Sequence, residues 1–132
     1  RFARSLYMNT DMLKAMLQAG MEIGSHANSH RWLDRLSSAD QAREIDKGLQ
    51  LLASIGVDRT NWSMCYPYGA YNEMTETLLS ERACSFALTS ATGLASLSWE
   101  KRYSLPRLDT RNLPTSETAP LSSYTLAAMQ HI

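Results

Sequence analysis

Helical and strand-like segments alternate along the chain, and this order predicts an α/β fold with mostly parallel strands. Two observations carry the prediction. Apolar residues recur at helical spacing in three stretches: Leu13, Met16 and Leu17; Ile45, Leu49 and Leu52; Met74, Leu78 and Leu79. Short apolar runs separate or follow these stretches, at residues 21–25, 62–66, 84–89 and 102–108. Parallel strands need a crossover connection, usually a helix, and the first three runs have one between them.

Each element has local signals. Thr10 is the expected N-cap of the first helix, and Gly20 its stop. Residues 21–25 then read as a short strand ending at a histidine. Residues 30–37 form a loop whose Trp32, Leu33 and Leu36 give it an apolar side. Ser38 and Gln41 fit a capping box for the second helix, which Gly56 ends. Residues 62–66 are a strand that runs into Pro67-Tyr68-Gly69, where proline has no N–H to donate and glycine permits unusual dihedrals. Asn72 caps a helix over 73–82, with Met74, Leu78 and Leu79 expected inward. Residues 84–89 are the next strand, 90–100 a loop, and 102–108 a last short strand. From Asp109 onward Pro114, Pro120 and many Ser and Thr residues predict a long loop, with a short helix over 126–130.

Composition bounds the function. A chain of 132 residues is long enough for one domain with its own core. Lys plus Arg and Asp plus Glu both number 13, so no basic excess exists for nucleic acid or an anionic membrane. No apolar run of about 18 residues is present to span a bilayer, and residues 1–8 lack the apolar core of a signal peptide. The chain opens on Arg rather than Met, which is expected of a processed chain or of a piece of a longer one. Cys65 and Cys84 lie in separate strand-like runs with no C-x-x-C pairing, and are expected as buried free thiols.

The chemistry concentrates in Glu22-Ile23-Gly24-Ser25-His26-Ala27-Asn28-Ser29-His30, which holds two of the three histidines. Residues four apart on one turn of chain present their side chains to one side. Neutral imidazole is the commonest protein ligand for transition metals, so His26 and His30 are candidate metal ligands. The bland alternative is a surface loop with hydrogen-bonded imidazoles. Tyr66-Pro67-Tyr68-Gly69 and Arg107-Leu108-Asp109 fall at the ends of two further strands. In parallel sheets ligands bind beyond the C-terminal strand ends, so these three features are expected as neighbours. Tyr66 and Tyr68 also read as strand aromatics packed on a helix, and Arg107 with Asp109 as a surface ion pair.

These residues resemble the polysaccharide deacetylases, the NodB-homology carbohydrate esterases. The run from Glu22 to His30 looks like that family's H-S/T-x-x-H metal signature. Tyr66-Pro67-Tyr68-Gly69-Ala70-Tyr71-Asn72 is similar to its substrate-groove motif, and Leu105-Pro106-Arg107-Leu108-Asp109 to a later motif of one branch. The three occur in the family's order, and the resemblance spans about residues 10–114. It implies a partial, distorted (β/α) barrel with mostly parallel strands, a divalent metal, most often zinc, and hydrolysis of N- or O-acetyl groups on an acetylated carbohydrate. By the same resemblance His26 and His30 hold the metal, and Tyr68 helps form an oxyanion hole through its backbone N–H. Arg107 or Asp109 orients a catalytic group. Tyr66, Pro67, Gly69 and Trp32 line the substrate groove. Members of the family often act outside the cytoplasm.

Two departures qualify that expectation. The family's Thr-Phe-Asp-Asp run supplies a metal aspartate and the catalytic base, and this sequence contains no counterpart. The expected position of that run is upstream of Arg1, which makes 1–132 an N-terminally incomplete domain. Cys65 stands where some members carry an arginine, so the charge partner of those members is expected to be missing. A deacetylase-like remnant that binds carbohydrate or a protein without turnover is the competing reading. A barrel without its first strand also exposes a sheet edge, which predicts self-association. Met129-Gln130-His131 has the shape of the family's terminal leucine-x-histidine motif, but His131 reads as a tail residue.

Overall fold

The computed structural model describes residues 6–96, 98–114, 116–123 and 126–127. Helix α1, Thr10–Gln18, leads by an extended segment into the first histidine. A 3₁₀ turn, Leu33–Arg35, precedes helix α2, Ser38–Ile55. Strand β1, Trp62–Cys65, runs into a tight turn at Pro67–Gly69 and then helix α3, Glu73–Glu81. Strand β2, Cys84–Thr92, and strand β3, Leu105–Arg107, complete the sheet. Its order is β1-β2-β3, both pairings parallel, and Ser25 adds a single parallel bridge to Met64 on the outer side of β1. The architecture is the α/β arrangement with a parallel sheet that the segment order predicts.

The helices form where the patterns place them, with the caps shifted by one residue. Asn9 rather than Thr10 caps α1, its Oδ1 accepting from Met12 N at 2.9 Å. Ser37 rather than Ser38 caps α2, its Oγ accepting from Asp40 N at 3.2 Å. The capping box over Ser38 and Gln41 is therefore not made, because Gln41 points into the interior, where it is 1% exposed. Asn72 does cap α3, in a reciprocal box with Thr75. Gly56 ends α2 at φ 104°, in the left-handed region glycine tolerates best.

Ile45, Leu49 and Leu52 of α2 meet Leu78 and Leu79 of α3 and Met64 of β1 in one buried cluster. Leu33, Ile45 and Leu79 are wholly buried, and each such side chain contributes about 1.5–3 kcal/mol relative to exposure. Met74 is outside this core, at 42% exposure; Thr75 takes the inward position because its Oγ1 donates to Gln41 Oε1 at 2.6 Å. The stripe of α1 (Leu13, Met16 and Leu17) is only half-buried.

Three strand boundaries differ from the sequence reading. The strand expected over 21–25 shrinks to the Ser25 bridge, since only Ser25 reaches β1: its N donates to Ser63 O and its O accepts from Cys65 N, both at 2.8 Å. β2 runs on through Thr92, where the loop was expected, because Thr92 pairs with Arg107 and Gly93 N donates to Arg107 O. β3 is shorter than 102–108, since Trp99–Lys101 forms a 3₁₀ turn and Tyr103 turns its ring into the core. Both cysteines are free thiols; Cys84 is buried and Cys65 half-buried. The helix expected over 126–130 and the Met129-Gln130-His131 motif lie largely or wholly outside the described residues.

Candidate active site

Three chain segments converge where the parallel strands end. The loop after Ser25 carries His26 and His30, the turn after β1 carries Tyr68, and β3 delivers Arg107. The His26 and His30 ring centroids are 4.8 Å apart, and the His30 ring meets the Tyr68 ring edge-on at 4.5 Å. Tyr68 in turn stacks on Trp32 at 4.5 Å, with planes 7° apart, and the Arg35 guanidinium lies over the Trp32 ring at 4.5 Å. A column of five side chains thus runs from Arg35 to His26. Trp32 and Tyr68 are 41% and 51% exposed, yet they already stack on one another. Stacking a sugar on Trp32 therefore competes with Arg35 and Tyr68.

His26 is oriented by a backbone contact. Its Nδ1 lies 2.6 Å from the carbonyl oxygen of Cys65. A carbonyl only accepts, so Nδ1 carries the proton and Nε2 of the neutral ring keeps its lone pair. A ligating histidine is commonly oriented in this way, its second nitrogen donating to a carbonyl.

The backbone is strained at the same place. Ala27, His30 and Tyr68 have φ of 59°, 56° and 58°, three of the four non-glycine residues at positive φ among the described residues. The left-handed region costs about 1–2 kcal/mol per ordinary residue, so surrounding contacts must enforce it. Gly69 follows at φ 70°, and a Cβ there would lie 2.0 Å from Ser90 Oγ. The Tyr68–Gly69 turn therefore presses directly on the end of β2.

Arg107 Nε donates to Thr89 O at 2.9 Å, and its Nη1 approaches Cys65 Sγ at 3.3 Å. The guanidinium thus stands beside Cys65, and the cation expected to be missing there is supplied from β3. Asp109 does not pair with Arg107. Its Oδ1 accepts from Arg111 N at 2.9 Å and from Arg111 Nε at 3.1 Å, and it caps the turn Thr110–Asn112. The bonds from Arg111 N and Nε hold its carboxyl below the ordinary range. Oδ1 is thus engaged locally.

Tyr66 and Pro67 are buried. Tyr66 is 2% exposed, stacks on Tyr71, and donates from its hydroxyl to Tyr103 O at 2.8 Å. Burial pushes its phenol pKa strongly upward. Both residues shape the turn from beneath and offer little side-chain surface to a groove. Ser25 Oγ is buried without a hydrogen bond, 2.6 Å from where a Cβ on Gly48 would stand, so it does not orient either histidine.

The residue that sequence reasoning missed is Glu44 of α2. It is 7% exposed, and its carboxylate accepts from Asn28 N at 3.2 Å, Ser29 N at 2.8 Å and Ser29 Oγ at 2.6 Å. Burial opposes its charge, but the bonds from Ser29 and Asn28 outweigh that and hold its carboxyl below the ordinary range. The signal was readable: Glu44 sits beside Ile45 in the inward stripe of α2, between Gln41 and Gly48, and a charge there needs partners.

As a metal site the constellation fits two donor positions. His26 and His30 face each other, and His26 keeps a free Nε2. Among the described residues no group of three or more His, Cys, Asp or Glu side chains is placed to hold an ion.

A parallel α/β sheet with histidines, a left-handed tyrosine turn and an arginine at its C-terminal edge defines a partial (β/α) barrel with an edge site. Residues 3–86 match the family model described as polysaccharide deacetylase, well over half of the chain. The chain belongs to the polysaccharide deacetylase family. No curated protein sequence matches it. Among solved structures it is similar to the Streptococcus pyogenes deacetylase PplD in complex with acetate, at 23% identity and TM-score 0.70, covering 81% of this chain and 46% of that one. It is also similar to the family 4 carbohydrate esterase of Streptomyces lividans in complex with acetate, at 22% identity and TM-score 0.54, covering 61% and 41%. A mutant of BA3943, described as a CE4 family pseudoenzyme with restored enzymatic activity, aligns at 16% identity and TM-score 0.55, covering 70% and 33%. These likenesses establish the NodB-type barrel fold, and the chain spans less than half the length of each structure. Among the described residues no helix is long and apolar enough to cross a membrane.

Proposed function

We propose that the protein hydrolyses N- or O-acetyl groups on a carbohydrate, and that this chain supplies the histidine half of a metal-dependent site. The observation that carries the reading is the His26–His30 pair, with His26 Nδ1 fixed on Cys65 O so that Nε2 is left to bind. His26 and His30 are the ligands, with zinc as the expected metal. A divalent metal held there would polarise an acetyl carbonyl and acidify a water.

The roles of the remaining residues follow from their places. Tyr68, held left-handed with its ring against His30, offers its backbone N–H to the developing oxyanion on this reading. Arg107, fixed on Thr89 O, sets a positive charge beside Cys65 that orients an anionic catalytic group. Asp109 fixes the turn after β3 through Oδ1 and with Arg107 orients a catalytic group. Trp32 and Tyr68 form the exposed wall along which a sugar lies, and Gly69 keeps the turn beneath them tight. The Thr-Phe-Asp-Asp run of the family is not in this sequence, so the base and third ligand come from outside residues 1–132.

The test is acetate release from acetylated chito-oligosaccharides and acetylated xylan by zinc- or cobalt-loaded protein. Activity is expected when the chain is extended upstream to a Thr-Phe-Asp-Asp run. An extended protein that folds, binds metal and releases no acetate overturns the assignment.

The incomplete donor set favours one second reading, a non-catalytic module that binds carbohydrate or a protein. It predicts saccharide binding that a chelator leaves unchanged in calorimetry; loss of all binding on chelation overturns it. The outer edge of the Ser25 segment, beside which no strand lies among the described residues, supports pairing with a further strand or a second copy. A monomeric sedimentation profile at high concentration overturns self-association.

A further inference from the structure

We propose that Glu44 is the positioning residue of the site, holding His30 in its left-handed conformation by gripping the backbone between the two histidines. The proposal rests on the reading of His26 and His30 as ligands.

Asn28 N, Ser29 N and Ser29 Oγ all point at one carboxylate, at 3.2, 2.8 and 2.6 Å. Consecutive backbone N–H groups that converge on an anion form a nest, and here the anion is a side chain of the protein itself. A carboxylate only accepts and has room for about four hydrogen bonds, so it satisfies three convergent donors where an amide would turn an NH₂ toward them. The gripped pair lies between Ala27 and His30, the two left-handed residues of the loop. Neither is glycine, so neither adopts that conformation without an external hold. Among the described residues Glu44 is the only one whose side chain accepts hydrogen bonds from this stretch, and α2 approaches closely enough to place it because residue 48 is glycine: a Cβ there would lie 2.6 Å from Ser25 Oγ and 3.3 Å from Ala27 O. The grip ends one residue before His30, whose ring then meets His26 on one side and Tyr68 on the other.

Four variants decide the matter: Glu44→Ala, Glu44→Gln, Ser29→Ala and, as a control on the same helix, Leu49→Ala. Imidazole and tyrosine ring signals are followed by NMR without metal, and cobalt binding is titrated by absorbance. Glu44→Ala is expected to shift the His30 and Tyr68 signals and to weaken cobalt binding by about 10–100-fold. Glu44→Gln, which keeps one acceptor oxygen, restores part of both, and Ser29→Ala gives a smaller shift of the same kind. Leu49→Ala is expected to lower the melting temperature and leave the ring signals in place. Unmoved His30 signals in folded Glu44→Ala overturn the proposal, as does a Leu49→Ala variant that moves them equally. If Glu44→Ala does not fold, Ser29→Ala decides alone, and unmoved signals there overturn it. Failure of the wild-type protein to bind cobalt would sink the ligand reading, while the ring signals still judge Glu44.

Discussion

Arg107 and Cys65 meet across the sheet, Nη1 to Sγ at 3.3 Å, although they belong to β3 and β1. The guanidinium passes over β2, where its Nε holds Thr89 O. A residue of the third strand thereby sets the charge at the first. Arg107→Ala removes both contacts and is expected to destabilise the fold by about 1 kcal/mol, the net worth of one hydrogen bond to a carbonyl. Cys65→Ala is expected to cost less, because sulfur is a weak acceptor. Urea midpoints of the two variants compare them directly; a larger loss for Cys65→Ala contradicts the assignment.

The turn between Tyr68 and Ala70 leaves no room for a side chain at residue 69. Gly69→Ala has to find a Cβ position where Ser90 Oγ stands at 2.0 Å and Ser90 Cβ at 2.7 Å, on a backbone at φ 70°. The expected loss is about 2 kcal/mol or more, from overpacking and left-handed strain together. Adding Ser90→Gly removes the side-chain clash but leaves the backbone N of residue 90 at 3.0 Å and the strain, so it should recover only part. Thermal unfolding of the single and double variants measures both contributions.

Tyr66 is expected to act through the core. Tyr66→Phe leaves the carbonyl of Tyr103 unpaired in a buried position, at a cost of about 1–2 kcal/mol. Its effect on KM for any saccharide is expected to be small, since the phenol reaches no solvent-facing groove. A large KM change with unaltered stability would place Tyr66 in substrate contact after all.

Acid is expected to weaken the protein partly through Glu44. The folded carboxyl has a lower pKa than the unfolded one, because Ser29 and Asn28 stabilise its charge. Its stabilisation is then fully present above about pH 5 and is lost as pH falls through the ordinary carboxylate range toward the folded value. Half-buried Asp40, bonded to Ser37 and Arg43, and exposed Asp58, bonded to Thr60, act in the same direction. Unfolding free energies at pH 7 and pH 3.5 should therefore differ less in Glu44→Gln than in the wild type. An equal difference means that Glu44 carries no share.

The frame was legible because helices announce themselves by period. Ile45, Leu49 and Leu52 give α2, and Asn72 gives the start of α3. The histidine loop was legible because its residue types and spacing are unusual. The partners were less so. Nothing local says that Ser37 rather than Ser38 caps α2; the choice turns on Gln41 being drawn inward to Thr75 and Leu36 O. Met74 looks inward by period, yet Thr75 wins the place because its hydroxyl has a buried acceptor. Arg107 beside Cys65 follows from strand order, which no short-range pattern encodes. The bond from Arg111 to Asp109 was not foreseen either, although the two lie only two residues apart.

The histidine loop is tied to the sheet by the Ser25–Met64 bridge, with two backbone hydrogen bonds, and by His26 Nδ1 on Cys65 O, and to α2 through the Glu44 carboxylate. So few attachments let it open as a small cooperative unit while β1, β2 and the helical core stay intact. Its opening free energy then lies well below that of global unfolding. If a ligand occupies the two histidines, the site and its loop are expected to gain order together, and the amides of residues 25–30 should report it.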